Sequence, residues 1–522
     1  MARALLHLWF ATVVLVMLGG CGTLPVAVER PASSSLQATA AESPLAQLVA
    51  SQLPPDAQSG FRLLPLGSYA LDARLQLIRR ATRTLDLQYY IFENDDSGRA
   101  VFAALRDAAG RGVRVRLLLD DLNTTGPERI LEALAQVPNL EIRLFNPFCC
   151  ARASLTGRFL TSLGDLPRLD HRMHNKLLVA DGVLAIVGGR NIGDEYFALN
   201  QVSNFIDLDA LAAGRVVPQL SALFDRYWNS KEAYPISYFH APAEASSAAT
   251  DLQTLLPPEA GRIEIDLPDR DLLGRGPVGK DMDANRLSLV PGLAYAVADR
   301  PSKLRQPRDE LEFGSLMAGA VGDMEGARRE LVVTSPYLVP GKRGMGVLNG
   351  LAHKGVRMVL VTNSLEANDS TFVYFGYARY RSRILHAGVD LYEISATAPR
   401  KAKTFFSGSS LGRLHAKLAV IDRETVLIGS LNLDPRSART NTELGVAIDS
   451  PTLAEEALRV VDAMKSEAYH VRQDAPGGPV EWIPPNESED TADPTVDEEP
   501  GVTALTVLQR LLLNPLVPED LL

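Results

Sequence analysis

Two histidines, His174 and His415, each stand two residues before a lysine, Lys176 and Lys417, and seven before an aspartate, Asp181 and Asp422. The two H-x-K-x₄-D units lie 241 residues apart at every one of these positions. Seventeen residues after each histidine comes an asparagine in a glycine-containing turn, Gly188-Gly189-Arg190-Asn191 and Gly429-Ser430-Leu431-Asn432, again offset by 241. One such unit arises by chance in many chains. Two in register, each trailed by the same turn at the same distance, mark an internal duplication.

The surrounding residues, HNKLLVAD and HAKLAVID, predict strands, in which residues two apart share a face. Each repeat then presents an imidazole beside an ammonium. If the repeats pack so that both pairs face one cleft, the set suits a phosphodiester. The lysines and the turn amides neutralise phosphoryl oxygens, and Asn191 and Asn432 donate further hydrogen bonds. One histidine attacks phosphorus; the other protonates the departing alcohol and later deprotonates the acceptor. Asp181 and Asp422 fall on the opposite strand parity and are expected to hold a turn or a second shell. A lysine beside each histidine repels a cation, so neither metal nor other cofactor is expected.

The elements that must position these residues are also repeated. Leu85–Phe92 reads as a strand, Arg99–Ala109 as a helix stopped by Gly110-Arg111-Gly112, and Val113–Leu119 as a buried strand. In the second half, Glu330–Val339, Gly344–His353 and Val356–Thr362 follow the same grammar, with Lys354-Gly355 at the stop. Apolar strands alternating with helices indicate an α/β fold with helices on both sheet faces.

Paired in this way, the motifs resemble the phospholipase D superfamily over residues 60–475. The resemblance implies two α/β repeats, each a mixed sheet flanked by helices, packed with pseudo-twofold symmetry around one active site. One chain carries both motifs, so a monomer suffices. It further implies a phosphohistidine intermediate, with His174 as nucleophile and His415 as acid/base. An acidic residue downstream of each asparagine, Glu443 and, with five extra residues before it, Asp207, is implied to orient an imidazole. The phrases LDLQYYIFENDDSGR, RLFNPF, HRMHNK, VGGRNIGDEYF, FDRYWNS, TNSLEANDSTFVYFGYARYR and SLNLDPRSARTNTELG are similar to the cardiolipin synthase C-type branch. That implies phosphatidyl transfer to phosphatidylglycerol, with phospholipids in a membrane as partners. Hydrolysis to phosphatidate is the alternative, since water can reach the same intermediate.

Composition places the rest. The 522 residues are 46% hydrophobic and 22% charged, with a formal charge of −10, which excludes a wholly disordered or polytopic membrane chain. Seven acids in Glu487–Glu499 carry most of that charge, and without them and Arg3 the body is near −4. A near-neutral body argues against a nuclease and against nucleic acid as a partner. Arg3, the apolar run Leu5–Leu18 and Leu18-Gly19-Gly20-Cys21 describe a secretory signal ending in a lipobox. Lipidation of Cys21 is therefore expected, anchoring the protein in the bacterial cell envelope, facing the periplasm, with Gly22 favouring the outer membrane.

The expected organisation is a signal peptide at 1–20, a flexible tether at 21–59, the first repeat at 60–245, a linker at 246–289, the second repeat at 290–475, and an acidic segment with an apolar tail at 476–522. Cys149 and Cys150 are read as small packing residues, a strained vicinal bridge being the alternative, and Ala504–Leu513 as a helix packed back on the body, lying on the membrane being the alternative. Tyr374–Arg381 either lines a head-group pocket or lies on a solvated helix.

Overall fold

The computed structural model describes residue 24 and residues 27–53, 58–239, 251–305, 315–397, 410–475, 477–485 and 498–513. The signal peptide, Cys21 and residues 487–497 of the acidic run lie outside the described residues.

The first repeat contains β1 (Ser59–Leu64), β2 (Thr84–Tyr89), β3 (Arg114–Asp120), β4 (Leu140–Phe145), β5 (Leu177–Ala180), β6 (Leu184–Gly188), β7 (Ser203–Ile206), β8 (Asp209–Gly214) and β9 (Ala233–Pro235). The second contains β10 (Val290–Ala298), β11 (Glu330–Thr334), β12 (Arg357–Asn363), β13 (Val389–Ile394), β14 (Leu411–Leu414), β15 (Leu418–Ile421), β16 (Thr425–Gly429), β17 (Leu444–Asp449), β18 (Ala468–Arg472) and β19 (Glu481–Ile483). Seventeen of these strands form one mixed sheet. Its pairings run β9-β4-β3-β2-β5-β6-β8-β1-β10-β17-β16-β15-β11-β12-β13-β18-β19. Read outward from the antiparallel β1–β10 seam, β8, β6, β5, β2, β3, β4 and β9 correspond in order to β17, β16, β15, β11, β12, β13 and β18, with β19 added at the far edge of the second repeat. The duplicated grammar is thus a pseudo-twofold.

In each repeat β2-β3-β4 and β11-β12-β13 are parallel, joined by crossover helices. The helix Asp96–Gly110 starts at Asp95, whose carboxylate accepts from the Gly98 amide, and ends at Gly112 with φ 90°. Gly355 ends the helix Gly341–His353 at φ 73°. A left-handed residue after the last turn favours glycine, which is why R-G-V and K-G-V recur. The core has three apolar clusters. The middle one is shared, bringing Phe61, Val187 and Val216 together with Val332, Val446 and Val460.

Three expectations are corrected. Much of the supposed tether at 21–59 is part of the body. Ser43 Oγ donates to Asp181 (2.5 Å) and its side chain caps the helix Pro44–Gln52, which buries Leu45, Ala46 and Leu48. Upstream, Ser35 Oγ donates to Asp86 (3.0 Å) and accepts from buried Arg116 (2.8 Å). Buried charges need complete hydrogen bonding, and this serine-rich stretch supplies it. The linker is likewise docked, through Leu256, Val278 and Leu287 in the first repeat's core and an Arg62–Asp281 ion pair (2.8 Å). In the Tyr374–Arg381 run Arg381 is not solvated but buried between Glu393 and Glu499 (2.7 Å each), while Tyr380 lines a cavity.

The helix Ala504–Leu513 forms, with Val507 and Leu508 about half exposed. Cys149 and Cys150 are unbridged and half-buried.

Asp181 and Asp422 sit at positive φ in the turns that close the β5–β6 and β15–β16 hairpins. Asp181 accepts from the amides of Thr82, Arg83 and Thr84, and Asp422 from those of Arg328, Arg329 and Glu330. Each ties its hairpin to the start of β2 or β11. Asp181→Ala leaves three amides and Ser43 without their acceptor, so the melting temperature should drop, for a loss of about 3 kcal/mol. The half-exposed Asp422→Ala should cost less. Equal melting of Asp181→Ala and the parent would refute this role.

Candidate active site

The motif strands begin later than the sequence suggested. β5 starts at Leu177 and β15 at Leu418, so each histidine and lysine lies in the extended segment leading in. That segment crosses to the other repeat. His174 donates its backbone N–H to Thr442 O (2.9 Å), and Met173 bridges Thr442. His415 donates to Ile206 O (2.7 Å), just after β14 pairs in parallel with β7. Thr442 and Ile206 immediately precede Glu443 and Asp207. The main chain therefore sets each acid opposite the histidine of the other repeat.

The side chains complete the exchange. His174 Nδ1 donates to Glu443 (2.9 and 3.1 Å), and His415 Nδ1 donates to Asp207 (2.6 Å). Both carboxylates are wholly buried, while each imidazole keeps 8–9% of its side chain open. An ionised carboxylate only accepts, so the proton is fixed on Nδ1, and Nε2 of each ring remains for chemistry. The five extra residues before Asp207 do not disturb the equivalence.

Both lysines belong to the same site. Lys176 Nζ donates to His174 O (2.6 Å) and lies over the Tyr90 ring (5.3 Å to its centre). Lys417 Nζ donates to His415 O. Each lysine acts electrostatically on the histidine of the other repeat. Burial, then the lysines, push both imidazoles down to about 4 against the pull of Glu443 and Asp207. Burial also lowers Lys417 to about 8 and drives Lys176 well below the usual ammonium range. Both carboxylates are held down, Glu443 by His174 and Asp207 by His415, in each case against the opposing effect of burial. The cleft is a desolvated cluster of proton-binding groups.

The turn residues serve this frame more than they serve a ligand. A Cβ on Gly189 would meet Asp207 Oδ1 at 2.2 Å, and one on Gly188 would meet Asp209 Oδ1 at the same distance. The Gly189 amide donates to Leu208 O (3.3 Å) and the Ser430 amide to Leu444 O (2.9 Å). Gly429 packs as tightly, with Leu444 O at 2.3 Å from its built Cβ. The expected supply of turn amides to phosphate is thus corrected: close backbone approach requires small residues here, and the amides are spent on the sheet. Ser430 Oγ donates to Glu443, joined by Ser437 Oγ (2.7 Å). Asn191 is committed too, accepting from the Ile91 amide (3.1 Å) and donating to Tyr196 OH (2.8 Å). Asn432 differs, for its buried Oδ1 has no partner among the described residues.

Asp181 and Asp422, which share the motif with the catalytic candidates, are at the far end of the hairpins. Several residues at the site carried no signal of their own. Tyr90 stands edge-on to His174 (5.1 Å between centres), and Tyr196 and Phe205 flank His415 (5.3 and 4.9 Å). Arg436 bridges the repeats to Asp170 (3.0 Å). Their sequence clues were position alone: Tyr90 in QYYIF, Tyr196 in DEYF, Phe205 two residues before Asp207, and Arg436 in DPRS. Among the described residues no group of three or more His, Cys, Asp or Glu is placed to hold a metal.

Beside the site a cavity of about 620 Å³ opens between the helices Ser315–Glu325 and Gly341–His353 and the turn Leu433-Asp434-Pro435. Its floor is apolar, including Met324, Leu338, Val347 and Leu348, and Lys342, Arg343 and Arg439 also line it. Asp434 in its wall is buried and pushed up to about 7, chiefly by burial and also by Glu443.

Residues 75–228 and 321–465 match the family described as "Cardiolipin synthase, PLD-like domain", one motif in each stretch. The chain is 39% identical over 434 residues to cardiolipin synthase C of Escherichia coli (strain K12), covering 79% of this chain and 86% of that protein. It is 24% identical over 400 residues to cardiolipin synthase 1 of Staphylococcus aureus (strain COL), covering 76% and 64%. The crystal structure of phosphatidylserine synthase from Haemophilus influenzae Rd KW20 superposes with a TM-score of 0.54 at 13% identity, over 80% of this chain and 88% of that one, a likeness of fold. With the paired motifs, their shared cleft and these matches in hand, the chain belongs to the cardiolipin synthase family of phospholipase D-like enzymes.

Proposed function

We propose that this enzyme, a phosphatidyltransferase of the phospholipase D type, makes cardiolipin by transferring a phosphatidyl group to the hydroxyl of phosphatidylglycerol. The observation that carries the reading is the reciprocal pair of buried imidazoles, each with Nδ1 on a carboxylate of the other repeat and a buried lysine beside it.

In the first step His174 Nε2 attacks phosphorus, forming a P–N bond. The P–O bond to the donor's head alcohol breaks, and His415, protonated at Nε2, gives its proton to that oxygen. In the second step the acceptor hydroxyl passes its proton to His415 as its oxygen attacks phosphorus, and the P–N bond breaks. Lys176 and Lys417 offset the charge that gathers on the phosphoryl oxygens. The apolar cavity with its three cationic residues suits acyl chains held near a phosphate. Anchoring through Cys21, with the body facing the periplasm, keeps the enzyme on its substrate.

Lipid analysis tests the product. Detergent-solubilised enzyme given phosphatidylglycerol, alone and with phosphatidylethanolamine, should yield cardiolipin. Phosphatidate accumulating in every mixture with no cardiolipin defeats the transfer reading in favour of hydrolysis. Enzyme quenched in denaturant at mildly alkaline pH, where the acid-labile P–N bond persists, should carry the phosphatidyl adduct on the peptide containing His174, and an adduct on the His415 peptide would reverse the two roles.

Asp207→Asn and Glu443→Gln each remove the acceptor that fixes a ring tautomer. Both should lower kcat roughly 10²–10⁴-fold with little change in KM. A rise in KM at unchanged kcat would instead assign these acids to substrate binding.

The pH behaviour follows from burial and the lysines. Both imidazoles are neutral above about pH 5, because burial and the lysines hold them near 4. A bound phosphodiester anion acts in the opposite direction and raises them, so binding at pH 6 should take up a proton. Calorimetry in two buffers of different ionisation enthalpy measures that uptake, and identical heats in both would contradict it.

A further inference from the structure

Among the described residues fourteen large apolar side chains stand exposed, and five of them lie within twelve consecutive residues: Leu155, Phe159, Leu160, Leu163 and Leu166, at 36–52% exposure. They belong to the helix Leu155–Thr161 and the two short turns that follow it. A surface helix of a globular protein buries its apolar stripe and exposes its charges. This one does the reverse.

Its arginine goes inward: Arg158 is fully buried and donates to Glu128 (2.7 Å), Asp121 O (2.8 Å) and Thr124 (2.9 Å). Arg152, just before the helix, pairs with the same Asp121 (2.6 Å) and Glu128 (2.5 Å). Phe148 packs edge-on to Phe159 from below (5.2 Å). The underside is a dense polar clamp, so the apolar side is held outward by construction.

Two further observations say what it faces. The segment runs directly into the site. Arg172 donates to Leu169 O (2.9 Å) and pairs with Asp120 (3.0 Å), Asp170 pairs with Arg436, and His174 follows. The N-terminal chain also leaves the body at this corner. Arg152 lies over the Phe239 ring (5.0 Å), Phe239 packs on Tyr234 (6.1 Å), and Arg30 lies over Tyr234 (4.2 Å). Tyr238 OH accepts from the Glu29 amide (2.7 Å). Cys21 is eight residues further, within about 29 Å even at full extension, and the apolar run Leu5–Leu18 lies beyond it.

We propose that residues 155–166 form a membrane-docking surface, with the five apolar side chains entering the acyl boundary of a phospholipid bilayer and the cleft held at the lipid surface. This rests on the phospholipid reading of the site and adds to it the face the protein turns to the membrane. Exposed apolar clusters of this kind mark interaction sites, and a helix with an outward apolar face lies in the plane of a lipid interface. The chain's own exit point, which carries the expected anchor, selects lipid as the occupant.

The test uses the full chain in vesicles of phosphatidylglycerol and phosphatidylethanolamine whose acyl chains are brominated. A tryptophan placed by Leu163→Trp should be quenched by the bromines, and one placed by Leu293→Trp, an exposed residue on the β1–β10 seam, should not. Leu155→Ser, Leu160→Ser and Leu163→Ser together should lower turnover of vesicle lipid roughly 10–100-fold, leaving melting and turnover of a monomeric short-chain phosphatidylglycerol unchanged. No quenching at Leu163→Trp, with short-chain turnover intact, overturns the docking surface but leaves the catalytic reading standing. Quenching without turnover of any phospholipid supports docking and instead removes the catalytic reading. If sedimentation shows a dimer that the triple variant dissociates, and quenching is absent, the face meets a second copy and the proposal fails.

Discussion

Each histidine of this protein is oriented by the opposite half of the chain. His174 is held by Glu443 and His415 by Asp207, at 2.6–2.9 Å, because the residue before each acid accepts the histidine's backbone N–H. Neither repeat alone contains a complete site. The pseudo-twofold about the β1–β10 seam, the shared apolar cluster, and the small residues at Gly188, Gly189 and Gly429 all serve to bring two chain crossings close enough for those contacts. A buried imidazole paired with a buried carboxylate tolerates little displacement, so the seam and the catalytic geometry are under one constraint.

The same burial fixes the electrostatics. Two lysines and two imidazoles share a desolvated space, and each cation makes the next proton harder to hold. Burial and the lysines leave the imidazoles neutral. The carboxylates behind them set the tautomer without filling the cleft. A phosphodiester brings the missing negative charge on the other side of each ring. Binding and protonation are therefore linked: the phosphoryl group that is to be transferred arrives with the charge that keeps the leaving alcohol's proton donor charged.

Charge also explains the two segments that depart from ordinary surface behaviour. Ser33, Ser35 and Ser43 are drawn onto the body because Arg116, Asp86 and Asp181 are buried and need partners, with half-buried Asp225 beside them. Arg152 and Arg158 are drawn inward by Asp121 and Glu128, which turns the leucines of 155–166 outward. In both places a buried ion network decides what lies at the surface.

The sequence determined the duplication, the identity of the histidine–lysine pairs and the α/β grammar, since these are written as spacing and as periodicity. The strand and helix centres at 85–92, 99–109 and 113–119 needed only local pattern. The acids were legible as candidates, but which histidine each one holds was not. Partnership across more than 200 residues depends on how the repeats cross, and no local signal encodes it. For the same reason the glycine turns read as amide donors until close packing against Asp207 and Leu444 was seen, and a stretch rich in serine read as a tether until its buried partners were known. Composition reports what a segment can do in water; only the tertiary structure decided which groups were removed from water and had to be satisfied.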